Sequence, residues 1–420
     1  MDNRRTLITI AGLVLLFVLA LSGLTWVNFR YAAQNPGGND FLPRWIGTRL
    51  FLTEGLSPYS DETTREIQLR IYGRIARPGE DQSLFVYPLY STLVFAPFAL
   101  SDDYVLSRAL WMTTLELSLF GLAGISLSLS RWRISRPMLA ILLLFTALGY
   151  HSVRPVINGN AAILCALFIA LAFWAIRSEH DVFAGFLLAM ASIKPQMVIL
   201  LVLFVSLWAI SHRRWQLFWG FWGSLVLLIA SASLFVPDWL FQNLIQVVAY
   251  PDYTLPGTPG AIFRSWLPGV GRQMGWVLTV LMVVILFWEW REAFSKDFRH
   301  FLWTACLTLV ITNLIGIRTA TDNFIALFPA LVLVLAIWDE RWGLVGRALT
   351  ILSFLLLFFG LWGLFLATLQ PGEQPTQHAI MFFPLLLFLF VGLYWVRWWA
   401  SRPPRALLDE LRLSKGGELS

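Results

Sequence analysis

A carboxylate that follows a pair of glycines is the first residue in this chain whose setting suggests chemistry. Gly37 and Gly38 precede Asn39 and Asp40, and glycines let a backbone turn sharply and approach a ligand closely. A carboxylate held in that way could act as a general base that takes the proton from an attacking hydroxyl group. Alternatively, Asp40 could be an ordinary solvated residue of a turn. Arg44, four positions later, could orient the carboxylate or bind a polar headgroup.

Three cations lie at breaks between apolar runs, where a charge near a membrane is costly and often functional. Lys194, which precedes Pro195, could offer a compact positive charge to a phosphate group. Alternatively, its flexible stem could carry the ammonium group to water. Arg154 and Arg318 could present guanidinium groups to the same anion, or they could be ordinary loop residues.

Amide and acidic side chains follow two of these cations. Asn160 comes shortly after Arg154, and Asp322 and Asn323 come shortly after Arg318. Amides can bind the hydroxyl groups of a sugar. Asp322 could instead pair with Arg318 and close a loop, which is a weak interaction at an exposed site.

Several kinds of site have no signature in the sequence. There is no Walker-type glycine-rich loop, His-Glu-x-x-His sequence or Ser nucleophile elbow. The five histidines are scattered, and Cys165 and Cys306 lie inside apolar runs, so we expect no metal site and no disulfide framework. Basic residues are dispersed in short loops, which favours a topology signal over a nucleic-acid partner.

Membrane-spanning helices must position these residues. Hydrophobic residues make up 58% of the 420 residues and charged residues only 13%, which is too apolar for a soluble protein. The apolar residues come in runs of about twenty, long enough for helices that satisfy their own backbone hydrogen bonds in lipid. The predicted spans cover residues 6–27, 104–130, 137–153, 160–177, 182–193, 196–210, 216–236, 274–290, 301–317, 324–338, 348–369 and 379–397.

Basic residues set the orientation of these spans, because they favour cytoplasmic loops. Placing the basic clusters in the cytoplasm gives about twelve spans of the plasma membrane, with both termini cytoplasmic and the candidate residues extracytoplasmic. Residues 1–400 form one transmembrane domain, and residues 401–420 form a cytoplasmic tail. Residues 182–210 could be one kinked helix or two short helices that meet at Lys194, and the charge alternation favours two.

The segment 28–103 is predicted to be a long extracytoplasmic loop. Within it, acids at the start, basic residues at the end and isoleucines four positions apart predict an amphipathic helix over residues 61–77 on the membrane surface. Residues 84–100 are apolar but are interrupted by Pro88 and Pro97, so we expect a juxtamembrane or re-entrant element there rather than a full span.

The order of short motifs in this chain resembles that of the type-C glycosyltransferases, in particular glycosyltransferase family 87, the polyprenyl-phosphate-mannose-dependent mannosyltransferases and their relatives. The matching motifs are Asn39-Asp40-Phe41, Gly55-x-x-Pro58-Tyr59, Tyr87-Pro88, Gly159-Asn160 and Lys194-Pro195.

The resemblance implies an all-α, polytopic architecture of about twelve spans with juxtamembrane helices in the first outer loop. It also implies inverting transfer of mannose, or another hexose or pentose, from a polyprenyl-phosphate donor to a hydroxyl of a lipid or glycan acceptor, with no further cofactor. Asp40 would be the base, and Lys194, with Arg154 or Arg318, would stabilise the leaving phosphate. The residues that would contact the sugar or the acceptor are Arg44, Tyr87, Asn160, Asp322 and Asn323.

Two other functions compete with transfer. A secondary transporter or lipid flippase could use a broken helix at Lys194, but it predicts short loops and an internal repeat, which the segment 28–103 does not fit. A membrane scaffold without catalysis would have no need of Asp40.

Overall fold

The computed structural model describes residues 2–250, 257–369 and 377–402. In this part of the chain about 80% of residues are helical and none form strands. The α-helices are α1 Asp2–Gln34, α2 Phe41–Glu54, α3 Asp61–Tyr72, α4 Thr92–Ala99, α5 Tyr104–Ser130, α6 Arg136–Leu148, α7 Tyr150–Asn158, α8 Ala162–Arg177, α9 Asp181–Ala191, α10 Pro195–Ser211, α11 Trp215–Phe235, α12 Trp239–Ala249, α13 Pro259–Trp266, α14 Gly271–Ala293, α15 Phe298–Thr312, α16 Phe328–Arg341, α17 Gly343–Leu355, α18 Leu361–Thr368 and α19 Pro384–Ala400.

Long apolar helices make the chain a polytopic membrane protein, as predicted. Among the described residues, the segments long and apolar enough to cross a membrane are Thr9–Gln34, Tyr104–Ser130, Arg136–Asn158, Trp215–Phe235, Gly271–Ala293, Thr321–Arg341, Gly343–Thr368 and Ala379–Ala400. Four further predicted spans correspond to the shorter apolar helices α8, α9, α10 and α15. Eight spans are therefore supported by length, and the total of about twelve stays a prediction.

The prediction of two short helices on either side of Lys194 is confirmed. The chain leaves the helical path after Ala191 and resumes it at Pro195. Asp181, the first residue of α9, forms a salt bridge with Arg214, which follows the end of α10. This pair joins the start of α9 to the end of α10. The two helices therefore run in opposite directions, and Lys194 lies at the tip of a hairpin.

Basic residues collect at the end of the bundle opposite to Lys194. Arg177 ends α8 and donates hydrogen bonds to the backbone oxygen and to Oγ of Ser128, at 2.6 and 2.9 Å. Nε2 of His212, which follows α10, lies 3.1 Å from the backbone oxygen of Lys296. The helices α8 and α10 begin beside the candidate residues and end in this basic layer, so the two ends of the bundle differ in charge.

The segment 28–103 contains more helix than predicted. The helix α2 was not predicted, because its apolar and polar residues show neither a spanning run nor an amphipathic period. The helix predicted over 61–77 ends at Tyr72, since Gly73 adopts a left-handed conformation with φ of 67° and caps it. A 3-10 turn, Leu89–Ser91, and α4 occupy the second apolar piece, which is therefore too short to span a membrane, as predicted.

The candidate site lies where several helices begin. Asp40 immediately precedes α2, and Lys194 occupies the N-cap position of α10. Asn160 lies two residues before α8, and Asn323 belongs to a 3-10 segment, Thr321–Leu327, that leads into α16. Helix N-termini carry partial positive charge from their unpaired N–H groups. This convergence therefore gives one end of the bundle a field that favours an anion.

Candidate active site

A single carboxamide connects the candidate base to the candidate cation. Nδ2 of Asn160 donates to Oδ2 of Asp40 at 2.9 Å. Oδ1 of the same side chain accepts from Nζ of Lys194 at 2.5 Å. Lys194 also donates to Oδ1 of Asn323 at 2.8 Å. Four of the predicted site residues thus form one continuous hydrogen-bonded chain.

The backbone around Asp40 fixes the position of its carboxylate. The carbonyl oxygen of Gly38 accepts from the N–H groups of Phe41 and Leu42, both at 2.8 Å, and so starts α2. The N–H of Asp40 donates to the carbonyl oxygen of Asn158 at 3.0 Å. The Asp40 side chain makes no capping hydrogen bond to its own helix, so its carboxylate is directed at Asn160 instead.

Gly159 permits the close approach of these two segments. Its φ is +69°, and a Cβ at this position would lie 2.5 Å from Cβ of Phe41, so no larger side chain fits. The ring of Phe41 stacks on Trp111 with centroids 5.6 Å apart. Nε1 of Trp111 donates to the carbonyl oxygen of Gly159 at 2.8 Å. These contacts hold the start of α2 against the turn that carries Asn160.

Arg108 anchors the same two segments and was missed by the sequence reasoning. It is 1% exposed, and its guanidinium donates to the carbonyl oxygens of Asn35, at 2.6 Å, and Ile157, at 3.2 Å. It thereby joins the chain before Asp40 to the end of α7. An arginine inside the apolar run of α5 was the signal that could have found it, because charges within spans are rarely accidental.

Lys194 is a buried cation whose described partners are neutral. It is 4% exposed, its two hydrogen-bond acceptors are amide oxygens, and the salt bridges found among the described residues do not include it. A buried charge is costly unless an opposite charge compensates for it. An ammonium group has three donors, so one remains for an anionic ligand.

The ring of Tyr87 lies between two cations. The guanidinium carbon of Arg44 is 4.3 Å from the ring centroid, and Nζ of Lys194 is 5.5 Å from it. The backbone oxygen of Tyr87 accepts from the hydroxyl of Tyr59, at 2.5 Å, and from Nδ2 of Asn243, at 3.1 Å. These bonds fix the backbone of Tyr87, and the π face of its ring stabilises both cations.

A polar cavity of about 170 Å³ opens beside Asp40. It includes the predicted residues Asp40 and Arg44 together with Tyr72, Asp81 and Tyr250, which the sequence reasoning did not select. Its full lining is Asn39, Asp40, Arg44, Ile71, Tyr72, Asp81, Ser83, Leu84 and Tyr250. The carboxylate of Asp40 therefore faces the cavity on one side and the Lys194 chain on the other.

Desolvation in this recess changes the acidity of two of its groups. It raises the pKa of Asp81, and the negative charge of Asp40 raises it further against the opposing effect of Arg44. Burial likewise raises the pKa of Tyr72.

The remaining predicted residues make no described hydrogen bond to Asp40 or Lys194. Asp322 accepts a hydrogen bond from Nδ2 of Asn158 at 2.8 Å and so joins the site through the turn 158–160. Arg318 lies over the ring of Tyr250, 5.7 Å from its centroid. Arg154 is not in an outer loop as expected but inside α7, where it lies 5.1 Å from the ring centroid of Phe365. No described hydrogen bond joins Arg154 to the chain of Asp40 and Lys194.

Comparison with known proteins identifies the family of this chain. The family model described as "Glycosyltransferase family 87" matches residues 85–315, which is more than half of the chain. The chain belongs to glycosyltransferase family 87. No curated protein and no solved structure matches it.

Family 87 membership makes the protein a membrane glycosyltransferase of the type-C class. The matched region contains Tyr87, Asn160 and Lys194 but neither Asp40 nor Asn323. The hydrogen bonds of Asn160 and Lys194 nevertheless connect the matched region to both of these outlying residues. The candidate site is therefore built partly inside and partly outside the region that defines the family.

Proposed function

We propose that this family 87 protein transfers a sugar, mannose or another hexose or pentose, from a polyprenyl-phosphate donor to a hydroxyl group of a lipid or glycan acceptor. Asp40 is the general base, and Lys194 binds the phosphate of the donor. Arg44, Tyr87, Asn160, Asp322 and Asn323 orient these groups or contact the substrates, and Arg154 and Arg318 add positive charge nearby.

The observation that carries the proposal is a buried cation that is linked through one amide to a carboxylate at an open cavity. Lys194 is held by two amide oxygens that fix its position without neutralising it. The N-termini of α8 and α10 add to the positive potential around it. A phosphate diester at this place would bind the third donor of the Lys194 ammonium group.

The reaction requires one bond to form as another breaks. The acceptor oxygen attacks the anomeric carbon from the face opposite to the phosphate, while the bond from that carbon to the phosphate oxygen breaks. The hydroxyl proton passes to the carboxylate of Asp40, and the electron pair leaves with the polyprenyl phosphate. Because the leaving group gains negative charge, cations assist it more than a proton donor would. Attack from the opposite face inverts the configuration of the anomeric carbon.

We place this reaction at the extracytoplasmic face of the plasma membrane, with both termini cytoplasmic. The layer that contains Arg177 and Arg214 lies at the end of α8 and α10 remote from Lys194, and clustered basic residues favour the cytoplasm. With the basic layer inside, Asp40 and its cavity face outward. The outward position gives the site access to donors and acceptors in the outer leaflet.

The test is sugar transfer by the purified full chain in lipid nanodiscs, with a radiolabelled polyprenyl-phosphate-mannose donor and a panel of octyl glycosides as acceptors. Asp40→Asn keeps the shape of the side chain but removes the base, and we expect kcat to fall by at least about 10²-fold. Asp102→Asn, an exposed acid in the same outer loop, is the control and should retain full activity.

Three results would count against the proposal. Full activity of Asp40→Asn would remove Asp40 as the base. Absence of transfer by the wild-type protein from polyprenyl-phosphate donors of several sugars would favour a transporter or flippase. Retention of the donor's anomeric configuration in the product would exclude the single displacement.

A further inference from the structure

The cavity beside Asp40 has a second acidic group on a different wall. Asp81 belongs to the segment that follows α3, whereas Asp40 and Arg44 belong to the start of α2. The formal charges of these three lining side chains sum to one negative charge.

The segment carrying Asp81 has a fixed shape. Arg74 and Glu80 form a two-bond salt bridge, with both N–O distances 2.7 Å, and this pairing lowers the pKa of Glu80 to about 2. The hydroxyl of Tyr72 donates to the backbone oxygen of Asp81 at 2.9 Å. The N–H of Ser83 donates to Oδ1 of Asp81 at 2.8 Å. The carboxylate is therefore positioned by its own segment.

Asp81 and Arg44 each have a hydrogen-bonding atom to spare. Oδ2 of Asp81 accepts no hydrogen bond among the described contacts, and no described salt bridge neutralises the group. Arg44 is 6% exposed, and its Nε is buried without a partner in the described part of the chain. The cavity is therefore lined by a charged acceptor group, the carboxylate of Asp81, and by a charged donor group, the guanidinium of Arg44. A sugar hydroxyl, which both donates and accepts, satisfies both.

The size and the other walls of the cavity also suit a sugar. A volume of about 170 Å³ holds roughly six ordered waters, and one glycosyl unit would displace several of them. Tyr72 and Tyr250 line the cavity, and aromatic side chains can pack against the apolar face of a sugar ring.

From these contacts we infer that the cavity is the acceptor subsite for a neutral glycosyl group and that Asp81 determines its specificity. The inference rests on the proposed transfer reaction. Asp81 accepts a hydrogen bond from an acceptor hydroxyl, while Asp40 takes the proton of the hydroxyl that attacks. An acceptor with a carboxylate in this cavity would face two like charges. The site therefore selects against acidic sugars.

The experiment compares octyl glucoside with octyl glucuronide, which differ in one carboxylate. In the nanodisc transfer assay, Asp81→Asn should raise KM for octyl glucoside roughly tenfold and leave KM for the polyprenyl-phosphate donor unchanged. The same variant should narrow the preference of the wild type for glucoside over glucuronide. Asp102→Asn should change neither the KM for octyl glucoside nor the preference for glucoside over glucuronide. An unchanged glucoside KM in Asp81→Asn, or equal use of the two glycosides by the wild type, overturns the inference.

A binding measurement separates this inference from the proposed function. Saturation-transfer NMR without donor detects octyl glucoside on the wild-type chain, and the signal should fall in Asp81→Asn but not in Asp102→Asn. If the NMR signal falls in Asp81→Asn alone and no transfer occurs with any donor, the inferred acceptor subsite is supported and the proposed reaction is contradicted. If wild-type transfer depends on Asp40 but glucoside binding is the same in Asp81→Asn, the reaction stands and the subsite fails.

Discussion

Asp40 and Lys194 contact opposite ends of one side-chain amide, that of Asn160. The amide donates to the carboxylate at 2.9 Å and accepts from the ammonium at 2.5 Å. The orientation of the Asn160 amide is fixed. Rotating this amide by 180° would place its NH₂ group against the ammonium and its oxygen against the carboxylate. The base and the cation therefore cannot shift independently.

We expect Asn160→Ala to separate the two groups without unfolding the protein. Loss of the bridging amide should lower kcat by roughly 10- to 100-fold, since a small misplacement of reacting groups is costly. Transfer kinetics with the polyprenyl-phosphate-mannose donor measure the change. Asn35→Ala removes an exposed amide that bonds only within the end of α1, and it should be silent. Wild-type kcat in Asn160→Ala would mean that the amide has no role in positioning.

Lys194→Met distinguishes a functional cation from a structural one. Methionine fills similar space without charge, so removal of a buried ammonium that makes no direct salt bridge in the described part of the chain should leave the thermal unfolding temperature unchanged or raise it. Activity should nevertheless fall by about 10²-fold or more, with a higher KM for the donor. A large drop in unfolding temperature together with normal kcat on the folded fraction would show that Lys194 serves stability alone.

Gly159→Ala should disrupt the site by steric clash, and Gly55→Ala provides a matched control. The two glycines have φ of 69° and 70°, so alanine meets the same backbone strain, about 1–2 kcal/mol, at both positions. Only at Gly159 does the new Cβ meet another residue, Phe41, at 2.5 Å; at Gly55 nothing lies within 4 Å. Transfer activity should therefore fall sharply in Gly159→Ala alone. An equal loss of transfer activity in both variants would show that backbone strain, and not the contact with Phe41, causes the loss.

Arg108→Met tests whether this arginine positions Asp40. The change leaves two backbone oxygens without donors, which should lower the free energy of unfolding by about 2–4 kcal/mol, and it should also lower kcat of the folded fraction. Arg177→Met is the comparison, because Arg177 likewise donates to a backbone oxygen but in the remote basic layer. We expect Arg177→Met to reduce the unfolding temperature while kcat stays normal. Equal kcat values for the two variants would contradict a positioning role for Arg108.

The sequence predicted the long spanning helices better than it predicted the contacts of Asp40 and Lys194, whose roles stay a prediction. Apolar run length reveals a spanning helix because lipid imposes it, and the motif order singled out Asp40 and Lys194. The contact of Asp40 with Asn160 depends on how α2 meets the turn at Gly159, which no local pattern encodes. Asp81 lies in a polar segment where acidic residues are common, so only the shape of the cavity distinguishes it.

The hydrogen-bonded chain also bears on how the protein matures. Its members come from four separate segments, at Asp40, Asn160, Lys194 and Asn323, and contacts between distant segments form late, after loop closure has cost its entropy. A nascent chain has all of these residues only once synthesis has passed Asn323. Truncation at the end of the matched region, residue 315, would leave Lys194 without one of its two amide acceptors.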